Sequence, residues 1–212
     1  MARIPLVDQT NLTPEQQKVF AEVTAGPRGT VVGPLRAALH RPDLADAWQR
    51  FGAMLRYGTS LPKIMSELAI LVTARRWNSQ LEWHIHAAAA QDAGLPKDVI
   101  ERLRLGESPA FENAEQADVY EFARQLQEQG HIDDAVYGRV VARWGVVGIV
   151  ELTALIGYYT MVSMTLNAHD IPIPGDPPPP LPALGGMNGG LRPALTAIPA
   201  ARVKPASEVQ RD

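Results

Sequence analysis

From Val146 to Ala168 the chain reads VVGIVELTALIGYYTMVSMTLNA, an almost unbroken apolar run. Its length would suit a membrane span. Glu151 inside the run, its small residues and tyrosines, and the lack of basic clusters at its ends point instead to a helix buried in a bundle or at a subunit interface. No membrane partner is therefore expected. A soluble chain with such a helix needs other helices to wrap it.

Those helices are written along the rest of the chain. Thr13-Pro14-Glu15-Gln16 is a start signal, with Thr13 as N-cap, Pro14 at the first helical position and Gln16 completing a capping box. That helix should run to about Thr24. Residues 25–34, AGPRGTVVGP, read as a Gly/Pro loop without the Gly-Lys-Ser/Thr ending of a phosphate-binding loop. Pro42 opens a helix through Tyr57, stopped by Gly58, and Ser60 is expected to cap the next one. After a central helical pair ending at Gly94, a short helix stops at Gly106. Asn113 caps a helix to Gln129, and Asp133 caps another ending near Trp144. No stretch carries a strand signal. The expected fold is all-α, a bundle of about six to seven helices over residues 1–174.

From Ile171 the composition changes: ten of the chain's 18 prolines lie in the last 42 residues. Residues 175–212 are expected to form an extended tail that builds no core of its own and is able to wrap a neighbouring subunit. So apolar a last helix, followed by such a tail, predicts a homo-oligomer.

Charge and cysteine usage exclude several functions. Net charge is −3 with no Lys/Arg cluster, which argues against a nucleic-acid surface. Cysteine is absent, so thiol peroxidase, disulfide and cysteine–metal chemistry are removed. The start, MARIPLVDQTNLTPEQQ, carries no apolar signal region, and a cytoplasmic location is expected.

Most of the chemically capable side chains sit in residues 67–94, ELAILVTARRWNSQLEWHIHAAAAQDAG, read as the end of one helix, a tight turn and a second helix. Glu67 has Ile64, Ile70 and Leu71 as its helical neighbours, so its carboxylate is either buried with a partner or lines a cavity. Ser79, Glu82 and His86 follow at i, i+3 and i+7, on one stripe of a helix. Antiparallel packing would let Glu67 face that stripe. Glu82 and His86, at i and i+4, also fit a plain surface pair. His84 lies nearly opposite and is assigned to the surface or an interface.

Other chemistry fits less well. Glu67, Glu82 and His86 have oxygen and nitrogen ligands to offer, but the two Glu-x-x-His repeats of a di-metal bundle are missing, and no metal is expected. A Ser79–His86 nucleophile pair would be separated by two turns, roughly 10 Å of helical rise. Arg28 is a candidate for meeting a substrate carboxylate. Tyr158, Tyr159, Asn167 and His169 are candidates to complete a pocket, and Trp83 to pack a helix or stack on substrate. Arg75 and Arg76 suit the C-terminal end of the Glu67 helix.

The spacing Glu67-x11-Ser79-x2-Glu82-x3-His86 resembles that of the carboxymuconolactone decarboxylase and alkyl hydroperoxidase D superfamily. In its peroxidase branch two cysteines stand where this chain has Ser79 and Glu82. LEWHIHAAAAQDAGL resembles the Glu-Trp-x-x-His version of decarboxylase-like members, and ELTALIGYYTMVSMTLNAHDIPIP the closing helix of the group. The resemblance spans roughly residues 10–174. It implies a helical enzyme, a lyase decarboxylating a small carboxylated lactone or an intermediate of aromatic degradation without a cofactor. His86 would be the proton donor, Glu67 its orienting partner and Glu82 a second acid–base group; Ser79, Trp83, Arg28 and Tyr159 would contact substrate. An isomerase or hydratase would use the same residues. A non-catalytic oligomeric protein that kept the fold is the other reading.

Overall fold

In the computed structural model residues 1–183 are described, and among them every regular element is helical. Eight helices follow one another: α1 Pro14–Ala25, α2 Pro34–Ala38, α3 Pro42–Tyr57, α4 Lys63–Arg76, α5 Gln80–Asp92, α6 Lys97–Leu105, α7 Ala114–Gln129 and α8 Asp134–Ala168. The extra helix relative to expectation is α2, a short turn of chain opened by Pro34 at the end of the Gly/Pro loop.

The bundle is built around α4. Every residue from Met65 to Arg75 is buried, so this helix, mostly apolar with Glu67 and Arg75 among its buried polar residues, sits in the centre. It packs against α5, α7 and α8. The α1 capping box forms as written, and the Gln16 side chain also donates to the Leu39 carbonyl. Asn113 and Asp133 cap α7 and α8 through their side chains. Gly106 and Gly130 close α6 and α7 in the left-handed conformation that glycine adopts without strain.

Gly145 breaks α8 at φ 66° and ψ −173°, between the arm ending at Trp144 and the apolar arm from Val146. The apolar arm is long enough to cross a membrane by length and composition. Here Leu152, Leu155, Ile156, Tyr158, Tyr159 and Val162 are buried in the bundle.

Ser60 corrects one expectation. It caps nothing: α4 starts later, after Pro62. Ser60 instead donates its N–H and its hydroxyl to the Glu151 carboxylate at 2.8 and 2.6 Å. The one carboxylate of the apolar arm is thereby partnered.

The chain beyond α8 keeps contact with the core. Ile171, Ile173 and Leu181 are buried. The Gln80 side chain brackets Leu181, donating to its carbonyl and accepting its N–H, while Arg104 donates to the Pro180 carbonyl. The tail expected from residue 175 is thus tied down at Leu181, and its remainder, 184–212, lies outside the described residues.

Candidate active site

A three-residue turn sets the site. After α4, Trp77 and Asn78 reverse the chain and Ser79 begins α5. Asn78 has φ 49°, a left-handed conformation asparagine tolerates better than most residues, and its side chain accepts from Arg75. Gln127 on α7 takes the Trp77 indole N–H, and Asn167 on α8 donates to the Trp77 carbonyl. Three helices therefore hold the turn, and α5 folds back along α4.

The result brings Glu67 of α4 against His86 of α5. His86 Nδ1 lies 2.6 Å from Glu67 Oε2, and its Nε2 lies 3.4 Å from Glu82 Oε2. All three side chains are buried. The first distance is that of a charge-assisted hydrogen bond, with the imidazole donating; the second is long for one. The ring is also fixed by the Tyr159 ring, edge-on at 5.0 Å between centroids. Burial works against the charged imidazole, but hydrogen bonding and charge from Glu67 and Glu82 outweigh it. The His86 pKa is raised above 6.5.

Beside His86 is a cavity of about 270 Å³. His86 and Glu82 line it; Glu67 stands behind the ring and does not. Arg28, Thr30, Arg56, Tyr158 and Tyr159 supply the other polar walls, with Leu35, Ile85 and Val162 among the apolar ones. Arg28 Nη2 donates to the Tyr158 hydroxyl at 3.2 Å, and its Nε is buried with no partner among the described residues. Burial raises the Tyr158 pKa, opposed by Arg28. Burial and then the Glu82 charge hold Tyr159 well above 10. Both phenols stay neutral hydroxyls near pH 7. With His86 protonated, two carboxylates would face one imidazolium and two guanidiniums in this cluster.

Sequence reasoning overlooked Gly52 and Arg56. A Cβ on Gly52 would stand 2.0 Å from the Tyr158 hydroxyl and 2.3 Å from Arg28 Nη2. Glycine is therefore what lets Arg28 and Tyr158 meet across α3. Its signal was a glycine inside an otherwise regular helical pattern. Arg56, in the last turn of α3, reads in sequence as an ordinary C-terminal cation.

Two expected substrate contacts lie elsewhere. Ser79 is the N-cap residue of α5, not part of its stripe; it is fully buried, with its Oγ unpartnered among the described residues. Trp83 is buried in the hydrophobic core. Neither lines the cavity. Arg28 and Tyr159 do. Asn167 serves the Trp77 turn, and Arg76 pairs with Glu128 at 2.9 Å. His84 is exposed. Glu67 and Glu82 approach opposite edges of one imidazole, so their oxygens and its nitrogens do not converge on a point where a cation would sit. Among the described residues no group of three or more such side chains is arranged to hold a metal ion.

Solved structures share this arrangement of helices. An uncharacterized peroxidase-related protein from Silicibacter sp. TM1040 matches at 18% identity and TM-score 0.63, over 80% of this chain and 90% of its own. An alkylhydroperoxidase AhpD core, an uncharacterized peroxidase-related protein from Ralstonia eutropha JMP134, matches at 15% and TM-score 0.65, over 82% and 93%. This is the AhpD-like fold. The debrominase Bmp8, solved as a cysteine-to-alanine variant with 2,3,4-tribromopyrrole, also matches, at 13% identity and TM-score 0.63, over 81% of this chain and 91% of its own. No family model and no curated protein matches the sequence itself.

Proposed function

We propose that this chain is a cytoplasmic carbon–carbon lyase that decarboxylates a small carboxylated lactone or a related intermediate of aromatic degradation, by acid–base chemistry without a thiol. One observation carries the reading: a buried imidazole, held between two carboxylates, forms part of the wall of a cavity that also presents two guanidiniums. At about 270 Å³ the cavity is near the lower end for ligand sites, which start at about 300 Å³. That size suits a small ring. Another protein of this fold holds a tribrominated pyrrole.

In the proposed reaction the bond from the ring carbon to its carboxylate breaks, carbon dioxide leaves, and the electron pair runs into the conjugated lactone carbonyl. Protonated His86 returns a proton from Nε2 to carbon. Its Nδ1–H stays with Glu67, which fixes the ring and keeps it charged. A guanidinium on the departing carboxylate would stabilise the ground state and slow the reaction. Arg28 and Arg56 therefore belong at the carbonyl end, where negative charge develops. Glu82, beside Nε2, takes a proton from solvent and passes it to His86, which restores the donor for the next turnover. With no cysteine in the chain, hydroperoxide reduction through thiols has no nucleophile.

The side-by-side placement of Glu82 and His86 on one cavity wall also supports a second reading, an isomerase moving a proton between neighbouring carbons. Incubation with a panel of carboxylated lactones, following carbon dioxide release and solvent deuterium uptake, separates the two. Release with one deuterium retained in the product supports the lyase. Deuterium uptake with the carboxylate retained supports the isomerase. Neither, from any substrate that binds, rejects both.

A further inference from the structure

A second hollow, of about 400 Å³, has no lining residue in common with the cavity beside His86. Its volume falls inside the range of roughly 300–1,000 Å³ for small-ligand sites. Asp98 and Val99 come to it from the first turn of α6, and Gln116 from the first turn of α7. The connection between those helices adds Phe111 and Glu112.

Gln116 has no structural reason to be there. It is only 7% exposed, yet its amide bonds no other described residue. Its polar atoms are not sealed in the core either; they open on the hollow that the residue lines. The start of α7 is already capped by the Asn113 side chain. An apolar residue of the same size would fill the position without burying an unpartnered amide. Asp98 by contrast suits the first turn of α6, where a carboxylate meets the helix dipole, and by itself marks nothing. Glu112 lies outside both helices.

The walls select a ligand by charge and by hydrogen-bonding sense. Asp98 and Glu112 are unpaired carboxylates, and among the described residues no lysine or arginine lines the hollow. With the Gln116 carbonyl they offer acceptors on three sides. A primary ammonium carries three donors and no acceptor. Val99 and Phe111 supply apolar surface for the rest of such a molecule, and the face of a phenyl ring attracts a cation. We infer that this hollow binds a small primary amine, as its ammonium ion on a short apolar or aromatic body, with Gln116 as the group that recognises it. A metal ion fits less well, since the described residues hold no cluster of three ligating side chains. An anion would meet two carboxylates.

Calorimetric titration of the full-length protein at neutral pH, with benzylamine, phenethylamine, cadaverine and the uncharged benzyl alcohol, tests the site. Benzylamine should bind once per chain and at least about tenfold tighter than the alcohol, the scale of one charge-assisted hydrogen bond. Gln116→Met should weaken that binding by a similar factor without lowering the melting temperature. Asp98→Asn with Glu112→Gln, at two exposed positions, should do the same, and keeps the test decisive if Gln116→Met does not fold. His86→Asn should bind benzylamine as the wild type does. No binding of any of the three amines up to millimolar concentrations would overturn the site. So would equal affinity for amine and alcohol, binding untouched by the changes at 98 and 112, or binding lost in His86→Asn.

Discussion

Two of the places where this bundle buries carboxylates are built differently. On α7, Asp118 is buried and receives Arg139 Nε on one oxygen at 2.6 Å and Arg143 Nε on the other at 2.7 Å. Both partners carry permanent charge, both oxygens are used, and the arginines reach out to solvent. On α4 and α5, Glu67 and Glu82 share one histidine whose charge depends on pH. Glu82 is held loosely, and the cluster faces a cavity. A carboxylate clamped between two guanidiniums is a structural ion pair. A titratable ring between two carboxylates, with open space on one side, is a proton-transfer device. Burial alone does not tell the two apart; the partner and the cavity do.

The largest effects should separate them. His86→Asn and Glu82→Gln should each lower turnover of the true substrate by roughly 100-fold or more, the usual size of a lost general acid or base. Their double mutant should be little worse than either single, since groups acting as one unit are non-additive. Stability should move by only about 1–2 kcal/mol. Asp118→Asn should invert the pattern. It should cost about 2–3 kcal/mol in urea unfolding, below the range for a fully buried broken pair because its arginines are partly solvated, and leave turnover per folded molecule unchanged. If Asp118→Asn abolished turnover without loss of stability, or His86→Asn did the reverse, the division would fail.

How far this division could be read from sequence follows from what spacing encodes. Glu67 lies in an apolar helix, and Glu82 and His86 are one helical turn apart. Periodicity plus one tight turn is enough to bring them together, and they do meet. Helix starts written as side-chain caps at Thr13, Asn113 and Asp133 were equally legible, because a cap is a local bond. Ser60 looked like another cap, but its partner, Glu151, lies 91 residues away, and no local rule reports that. Ser79 misled for the opposite reason: it fits the stripe by counting, yet the helix begins after it. The guanidinium side of the cavity was least legible. Arg28, Arg56 and Tyr158 come from a loop, a helix end and the last helix, and Arg28 meets Tyr158 only because Gly52 leaves room.

That glycine allows an intermediate test. Gly52→Ala adds one methyl where the Arg28 and Tyr158 side-chain ends now sit. The Arg28 end can swing aside, but the Tyr158 ring is buried against Trp48, Phe51 and Tyr159, so the fold should survive with a stability loss of about 1–3 kcal/mol. The guanidinium should leave its place, and affinity for an enolate-like anionic analogue of the transition state should drop by about tenfold, on the order of one charge-assisted hydrogen bond. Calorimetric titration would show this. A lost fold would mean that Gly52 serves packing; unchanged affinity would mean that Arg28 does not touch the ligand.

The smallest effect should be a displaced pH limb, and its sign is fixed by what surrounds His86. Burial lowers its pKa, and Glu67 and Glu82 raise it by more, leaving it above 6.5. Around the ring stand Glu67, Glu82 and the neutral hydroxyl of Tyr159, with Arg28 and Arg56 across the cavity. If protonated His86 is the donor, turnover should hold below its raised pKa and fall as pH rises through it. Glu67→Gln removes a raising influence and leaves burial in place, so that limb should move to lower pH. Stability has a matching sign. A group whose pKa is higher folded than unfolded contributes fully below the unfolded value and loses that contribution as pH rises through the folded one. Wild-type protein should therefore shed this increment between about pH 6.5, the unfolded histidine value, and the raised folded pKa, while Glu67→Gln should shed less. The His86 C–H resonances followed by NMR against pH would give both pKa values directly. A Glu67→Gln limb that stayed put, or moved up, would show that Glu67 is not what keeps His86 charged.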